Sequence, residues 1–379
     1  MRPTLLAAVV VLALGAAPRP PTPAFQKITL DLGASETAAF ADINRDGRLD
    51  IVSGEAWYEA PHWQRRVFRA INFQNQYVDN FSDLAIDVDG DGFTDIASCA
   101  WFDRKLAWWK NPGKSSGAWR ETAIETGFNI EFCFLVDLNN DGRAHEILPQ
   151  FGNAKAPLKW YEVRGGSFVG HAASPVSYGH GIGAGDLNRD GRTDILTPKG
   201  WLEAPADPRA GGWTLHNTWD LGSTGFLHVL DLNGDGRPDV LTSLAHDFGI
   251  FWLEAPEDPR TGAWKRHTID DSWSQAHALT LVDLHGGKRT GLLTGKRYMA
   301  HNGKDPGERD PLGIYWYELL PGPRPQWVRH TLDYSTRAGG GMQLPAADLN
   351  ADGRPDFVAP GKSGLFLFLS QSPAGAPKL

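Results

Sequence analysis

Five stretches of this 379-residue chain place oxygen-bearing side chains at positions 1, 3, 5 and 9 around a glycine at position 6. They are Asp42, Asn44, Asp46 and Asp50; Asp87, Asp89, Asp91 and Asp95; Asp186, Asn188, Asp190 and Asp194; Asp231, Asn233, Asp235 and Asp239; and Asp348, Asn350, Asp352 and Asp356. A sixth runs Asp137, Asn139 and Asp141, and its last acid is displaced by one place to Glu146. Hard oxygen donors gathered in a flexible loop suit Ca²⁺ better than Mg²⁺, which gives up its waters reluctantly. One such stretch would read equally well as an Asx-rich turn without metal. Six of them favour the metal. A degraded copy at Asp283 lacks oxygens at positions 5 and 9 and is not expected to bind.

A second set of residues offers different chemistry. Glu36, Phe81, Glu131, His180, Gly225, His277 and Met342 each stand six residues before the first aspartate of a copy. Glu131 with His180 and His277 could hold Zn²⁺ or another divalent transition metal, or share proton transfer on a sugar-like substrate. The segment between copies six and seven adds Lys296, Arg297, Tyr298 and His301 within a long polar link. Links of that length in a compact domain usually carry function. Their cations and phenol could bind hydroxyls or stabilise an enolate-like oxyanion. Any single one of these histidines reads better as a hydrogen-bonded structural residue, whereas the cluster reads equally well either way.

The elements that must position these residues follow from the spacing. First aspartates recur after 45, 50, 49, 45, 52 and 65 residues, a period that marks stacked repeats. No glutamate occupies position 12 of any copy, and apolar runs such as Ile51-Val52 and Val240-Leu241 follow, which read as strands. A third strand carries Trp-x-Glu, as in Trp160-Tyr-Glu162 and Trp252-Leu-Glu254. A fourth ends in a pattern such as Trp264-Lys-Arg-His-Thr. The last unit lacks that fourth strand, and Phe25-Gln-Lys-Ile-Thr-Leu-Asp31 supplies it. The prediction is an all-β, seven-bladed β-propeller over 25–370 with four-stranded blades, closed by the N-terminal strand completing the last one. The calcium loops then share one face, and the second set of residues rings the channel mouth on the other. The Trp-x-Glu residues are expected to serve blade packing.

Composition agrees. The 43 Gly and 26 Pro suit a turn-rich fold, and 15 Trp is far above ordinary usage. The net charge of −8 is misleading, because 19 carboxylates sit inside the six loops. With calcium bound, the protein would be near neutral or slightly positive. No Lys/Arg cluster points to nucleic acid. Residues 1–20 read as an export signal: Arg2, an apolar core from Leu5 to Leu14, then Gly15-Ala16-Ala17. That core is too short to span a membrane. Residues 21–24 read as a linker and 371–379 as a tail. The expected location is periplasmic or extracellular, where Cys99 and Cys133 could pair.

The Asp-x-Asn-x-Asp-Gly-x-x-Asp copies between apolar strands resemble the FG-GAP/VCBS repeats of integrin α-chain propellers and many secreted bacterial proteins. The resemblance implies a calcium-binding propeller, and with it an adhesion module that binds protein or glycan. A second set of residues resembles the propeller domain of aldos-2-ulose dehydratase. It comprises Gly179-His180-Gly-Ile-Gly-Ala-Gly-Asp186, Thr197-Pro-Lys-Gly-Trp201-Leu-Glu203, Gln275-Ala-His277-Ala and Thr294-Gly-Lys-Arg-Tyr298-Met-Ala-His301-Asn-Gly. That resemblance implies a carbon–oxygen lyase acting on keto-sugars, with His180, His277, His301, Lys296, Arg297 and Tyr298 sharing the base, acid and electrophile roles. It extends to the propeller alone, not to the further β domains of the fungal enzyme. Three functions therefore stand open: a carbohydrate lyase, a non-catalytic module for a glycan or protein partner, or a scaffold that assembles with other exported proteins.

Overall fold

A computed structural model describes residues 20–115, 117–287 and 289–371. The expected export signal and tail lie outside these residues, apart from Pro20 and Gln371. Among the described residues the chain is all-β, with one short 3₁₀ turn at Pro208–Ala210, and no helix is long and apolar enough to cross a membrane.

The sequence period becomes a series of antiparallel meanders arranged as a β-propeller. Each intact aspartate loop joins the first strand of a meander to the second, as between Ser82–Ile86 and Asp95–Ala100. The second strands are buried along their whole length, for example Asp95–Ala100, Glu146–Phe151 and Gly291–Lys296. Fourth strands such as Gln64–Val67 are exposed. The strand Ala24–Asp31 pairs antiparallel with Gly364–Gln371, so the N-terminal strand completes the last sheet.

The sheets are not seven separate four-stranded units. Five have four strands, and the fourth and fifth repeats share one sheet of eight. The junction is a parallel pairing of Ile182–Gly185 with Phe226–Leu230. Glycine explains the merger. A Cβ on Gly183 would lie 1.9 Å from the Leu227 carbonyl oxygen, and one on Gly185 would lie 2.5 Å from Val229 Cβ. Without side chains there, the two first strands close to hydrogen-bonding distance, where side chains would hold other neighbours apart.

The Trp-x-Glu motifs form a packing unit with the fourth strand. Trp160, Trp201, Trp252 and Trp316 sit directly across from His171, His216, His267 and His330. Their rings lie 4.3 to 5.1 Å apart. Each histidine Nε2 also bonds the glutamate two residues after its tryptophan, at 2.7 to 3.2 Å. Trp160, Trp201 and Trp316 are fully buried. Removing that much apolar surface from water stabilises by roughly 4 to 6 kcal/mol per ring, counted against an extended chain.

Candidate functional site at the channel mouth

One guanidinium gathers side chains from four repeats. Arg297 follows the buried strand Gly291–Lys296 and is itself 2% exposed. Its Nε donates to Glu36 Oε2 at 3.0 Å, while Nη1 lies 3.0 Å from His277 Nε2 and 3.5 Å from Glu131 Oε1. Its plane stands over the rings of Tyr77 and Phe81. Burial opposes the charge, but the facing Glu36 and Glu131 carboxylates raise the guanidinium pKa further. Glu36 Oε1, His277 Nδ1 and Arg297 Nη2 are buried here without a protein partner.

Beside Arg297, four side chains converge. A ligand atom of each of Glu131, His180, His246 and His277 lies within 4.8 Å of the others. His180 Nδ1 is 2.7 Å from the Thr224 carbonyl oxygen, so this nitrogen carries the proton. Its Nε2 is 3.0 Å from Glu131 Oε2 and 3.1 Å from His246 Nε2. His246 Nδ1 is held 2.8 Å from Asp305 Oδ2, which turns its Nε2 inward as well. Fixing Nδ1 against an oxygen is how metal-binding histidines are commonly oriented. Three imidazoles and a carboxylate suit Zn²⁺ or a comparable divalent transition metal. Glu131, His180 and His246 fit that role directly, whereas the nitrogen of His277 that faces Arg297 accepts its N–H.

Electrostatics separates the histidines. Burial disfavours charge on all of them, and His277 is held well below the usual imidazole range, with Arg297 adding to the effect. His246 is lowered by burial and by His180. At His180 the effect of burial is outweighed by the Glu131 carboxylate, and its pKa rises. Glu131 in turn is held well below the carboxylate range, because His180 and Arg297 outweigh its burial.

A cavity of about 160 Å³ opens onto this cluster, lined by Tyr77, Phe81, Trp101, Phe102, Glu131, Arg297 and His301 among others. The long link of the sixth repeat reaches over it. Asn302 Nδ2 donates to the Asn75 carbonyl oxygen at 3.2 Å, on the hairpin of Phe73–Gln74 and Tyr77–Val78. Lys362 Nζ, 3.5 Å from the Tyr77 ring centre, donates to the Met299 carbonyl oxygen. His301 stacks on His246 at 4.1 Å, and its Nδ1 is 2.9 Å from Asp305 Oδ1.

Glu131, His180, His277, Arg297 and His301 therefore come together. Lys296 and Tyr298 do not. Successive side chains in a strand point to opposite faces, so Lys296 turns away from Arg297 into another cleft. There its Nζ bonds the Ser274 carbonyl oxygen and Oγ. Tyr298 is 37% exposed on the surface. His246 and Asp305 lie on links that the sequence places on the mouth face, but the sequence gives them no catalytic or metal-binding role, and Tyr77 carries no signal there. Cys99 and Cys133 are both buried and unpaired.

On the opposite side the aspartate loops share one geometry. The first carboxylate spans two amides, as when Asp42 Oδ1 accepts from Asp46 N and Oδ2 from Gly47 N. Asn44 Oδ1 and Asp46 Oδ1 accept from the amides two residues on. Position 9 is buried and takes two backbone amides: Asp50 accepts from Ile43 and Ala60, and Asp194 from Leu187 and Ala204. In the third copy Glu146 fills this place, accepting from Leu138 N, so its longer side chain offsets the one-residue shift. Burial and neighbouring aspartates push Asp50 and Asp239 up to about 6 and Asp194 up to about 7. Such crowding of like charges is relieved by a cation. In the second copy a carboxylate oxygen of each of Asp87, Asp89 and Asp95 lies within 4.8 Å of the others, and Lys110 pairs with Asp89 and Asp91.

Residues 87–145 match the model of the FG-GAP-like repeat, a span running from the second aspartate loop into the third. The chain carries an FG-GAP-like repeat. No curated protein matches it. Among solved structures the chain is similar to a Bacillus licheniformis rhamnogalacturonan lyase PL11, with 12% identity, 91% of this chain and 75% of that one covered, and a TM-score of 0.51. It is similar to BBS1N from a complex with ARL6DN, with 12% identity, 94% and 98% coverage and a TM-score of 0.57. It also resembles the Cps50 (Swd1) β-propeller domain of Myceliophteria thermophila, with 13% identity, 92% and 100% coverage and a TM-score of 0.52. At such identities these likenesses establish the propeller fold alone. None of the three is an aldos-2-ulose dehydratase.

Proposed function

We propose that this FG-GAP-like propeller is an exported, calcium-stabilised protein that binds a carbohydrate at its channel mouth and eliminates water beside a carbonyl. The reading takes the eight-stranded sheet as two blades, giving a ring of seven. Calcium would be held by the loops that begin at Asp42, Asp87, Asp137, Asp186, Asp231 and Asp348.

One observation carries the catalytic part: the convergence of Glu131, His180, His246 and His277 within 4.8 Å, with Glu131 also lining the mouth cavity. A divalent metal held there would supply Lewis acidity to a carbonyl oxygen. The chain's own groups cover the remaining steps. His301, with Nδ1–H held by Asp305, keeps Nε2 as the base for the acidic C–H. Arg297 Nη2, without a protein partner, is a donor for the developing enolate oxygen. Tyr77, which burial pushes up to about 12, retains its proton and can donate to the departing hydroxyl.

A second reading, a non-catalytic glycan- or protein-binding module, is favoured by Arg297 itself. Its contacts with Glu36, Glu131 and His277 give the cluster a balancing cation without a metal. Metal analysis by mass spectrometry on wild type beside His180→Ala/His246→Ala separates the two. Calcium together with about one transition metal per chain, the latter lost in the double variant, supports the lyase, with keto-sugar dehydration as the activity to assay. Calcium alone supports the binding module.

A further inference from the structure

A cavity larger than the mouth lies beside it. A cleft of about 440 Å³ lies along the strands Gly313–Leu320 and Gln326–Tyr334, and Lys296 contributes to its lining. Trp273, Tyr315 and Tyr334 supply its aromatic walls, Lys296 and Arg329 its cations, and Asp310 a carboxylate at its edge. Trp273 and Tyr315 lie 4.9 Å apart at 34°, and Tyr334 is 54% exposed at the rim.

Lys296 is the unusual member. The residue is 1% exposed, and its ammonium donates only to the Ser274 carbonyl oxygen at 3.3 Å and Oγ at 3.0 Å. Among the described residues no carboxylate lies within ion-pair distance of it. An ammonium has three donors, so one remains for the cavity. The direct partners of Lys296 are neutral, and the carboxylates of Asp310 and Glu308 act on it only from beyond ion-pair distance. A buried cation so placed costs free energy, and an anionic ligand in contact with it would offset that cost. Arg329 differs, because its Nη1 is already engaged by Asp270 Oδ2 and Ser272 Oγ.

We propose that this cleft is a binding subsite for a hexuronate residue. The Lys296 ammonium takes the sugar carboxylate, the aromatic faces take the apolar face of the pyranose ring, and the Asp310 carboxylate accepts from a ring hydroxyl. A neutral hexose offers nothing to the ammonium, so the cleft selects for the acid. The site is separate from the mouth cluster and stands whether or not that cluster is catalytic.

Isothermal titration and saturation-transfer NMR with D-galacturonate and D-galactose test it on the full-length protein. The expected result is galacturonate binding that weakens about tenfold or more in Lys296→Met, as loss of a charge-assisted contact would cause, and about threefold in Tyr334→Ala, with galactose much weaker throughout. Tyr334 is a rim residue, so its variant keeps the test alive should Lys296→Met fail to fold. His180→Ala/His246→Ala should leave galacturonate affinity unchanged. Equal affinity for galactose, no galacturonate binding by the wild type, binding untouched by Tyr334→Ala, or binding lost only in the histidine variant would each overturn the proposal.

Discussion

Arg260 of the fifth repeat clamps Glu203 of the fourth, Nη2 to Oε1 at 2.6 Å and Nε to Oε2 at 2.9 Å. The same clamp recurs one repeat earlier between Arg209 and Glu162, at 2.6 and 2.9 Å. Both arginines come from Asp-Pro-Arg loops, Asp207-Pro-Arg209 and Asp258-Pro-Arg260. The glutamate of the Trp-x-Glu motif thus meets its own tryptophan-stacked histidine and the arginine of the following repeat. A residue expected only to support packing also ties neighbours together.

Arg260→Ala should therefore lower stability by about 1 kcal/mol, a bidentate geometry discounted for its partial exposure. The pH dependence has a definite sign. The Arg260 hydrogen bond brings the Glu203 carboxyl down to about 2 from the 4.5 expected of the free group. A depressed acid contributes stability that is complete above about 4.5 and lost as pH falls toward about 2. Denaturant midpoints of wild type and Arg260→Ala should differ at pH 7, begin to converge below about pH 4.5 and draw together only toward about pH 2. A gap that stays constant across that range would remove the clamp from the account.

Calcium removal should loosen the aspartate-loop face of the ring. Chelation with EGTA is expected to lower the melting temperature, and restored calcium but not magnesium should reverse it. Asp87→Ala, in the loop whose three carboxylates converge, should reduce bound calcium by about one ion per chain. An unchanged melting curve in chelator would mean that the backbone hydrogen bonds of the loops suffice.

Arg297→Met should be severe. It leaves the buried Glu36 without its cation and Glu131 with His180 alone, and breaking a buried pair from one side typically costs about 3 to 5 kcal/mol. Adding Glu36→Gln should recover part of the loss. Urea unfolding of the single and double variants reads this directly, and simple additivity would show that the two residues are not coupled.

Gly183→Ala should disrupt the shared sheet of the fourth and fifth repeats. Its Cβ would sit 1.9 Å from the Leu227 carbonyl oxygen, so the strands must part. We expect a loss of about 3 kcal/mol or more, or failure to accumulate soluble protein. Gly191→Ala, with nothing within 4 Å of its Cβ but a φ of +83°, would cost by backbone strain alone and should be milder.

Local patterns were the legible part of the sequence. The aspartate loops and the strands on either side of them follow from spacing and turn chemistry, which depend on near neighbours. The pairing of residues 24–31 with the final strand follows from the repeat pattern, whose last unit lacks a fourth strand. The merger of two sheets was not legible, because it depends on what stands opposite Gly183 in another repeat. The mouth was half legible. Positions six residues before each first aspartate did bring Glu36, Glu131, His180 and His277 to one place. Lys296 and Arg297 were assigned together, although adjacent residues on a strand diverge. His246 and Asp305 sit on connections whose course no periodicity specifies.

The pairing of Ala24–Asp31 with Gly364–Gln371 also fixes an order of events in time. The first strand of the fold to be synthesised has no partner until the last has been made. Until then it is an unpaired β-segment, and the final sheet has an open edge of the kind that recruits foreign strands. Sealing the ring is a contact between residues more than three hundred positions apart, the slow kind of step in folding. Any aggregation during biogenesis should therefore begin at this seam, and a chain permuted to join the two strands directly should refold faster than the natural one.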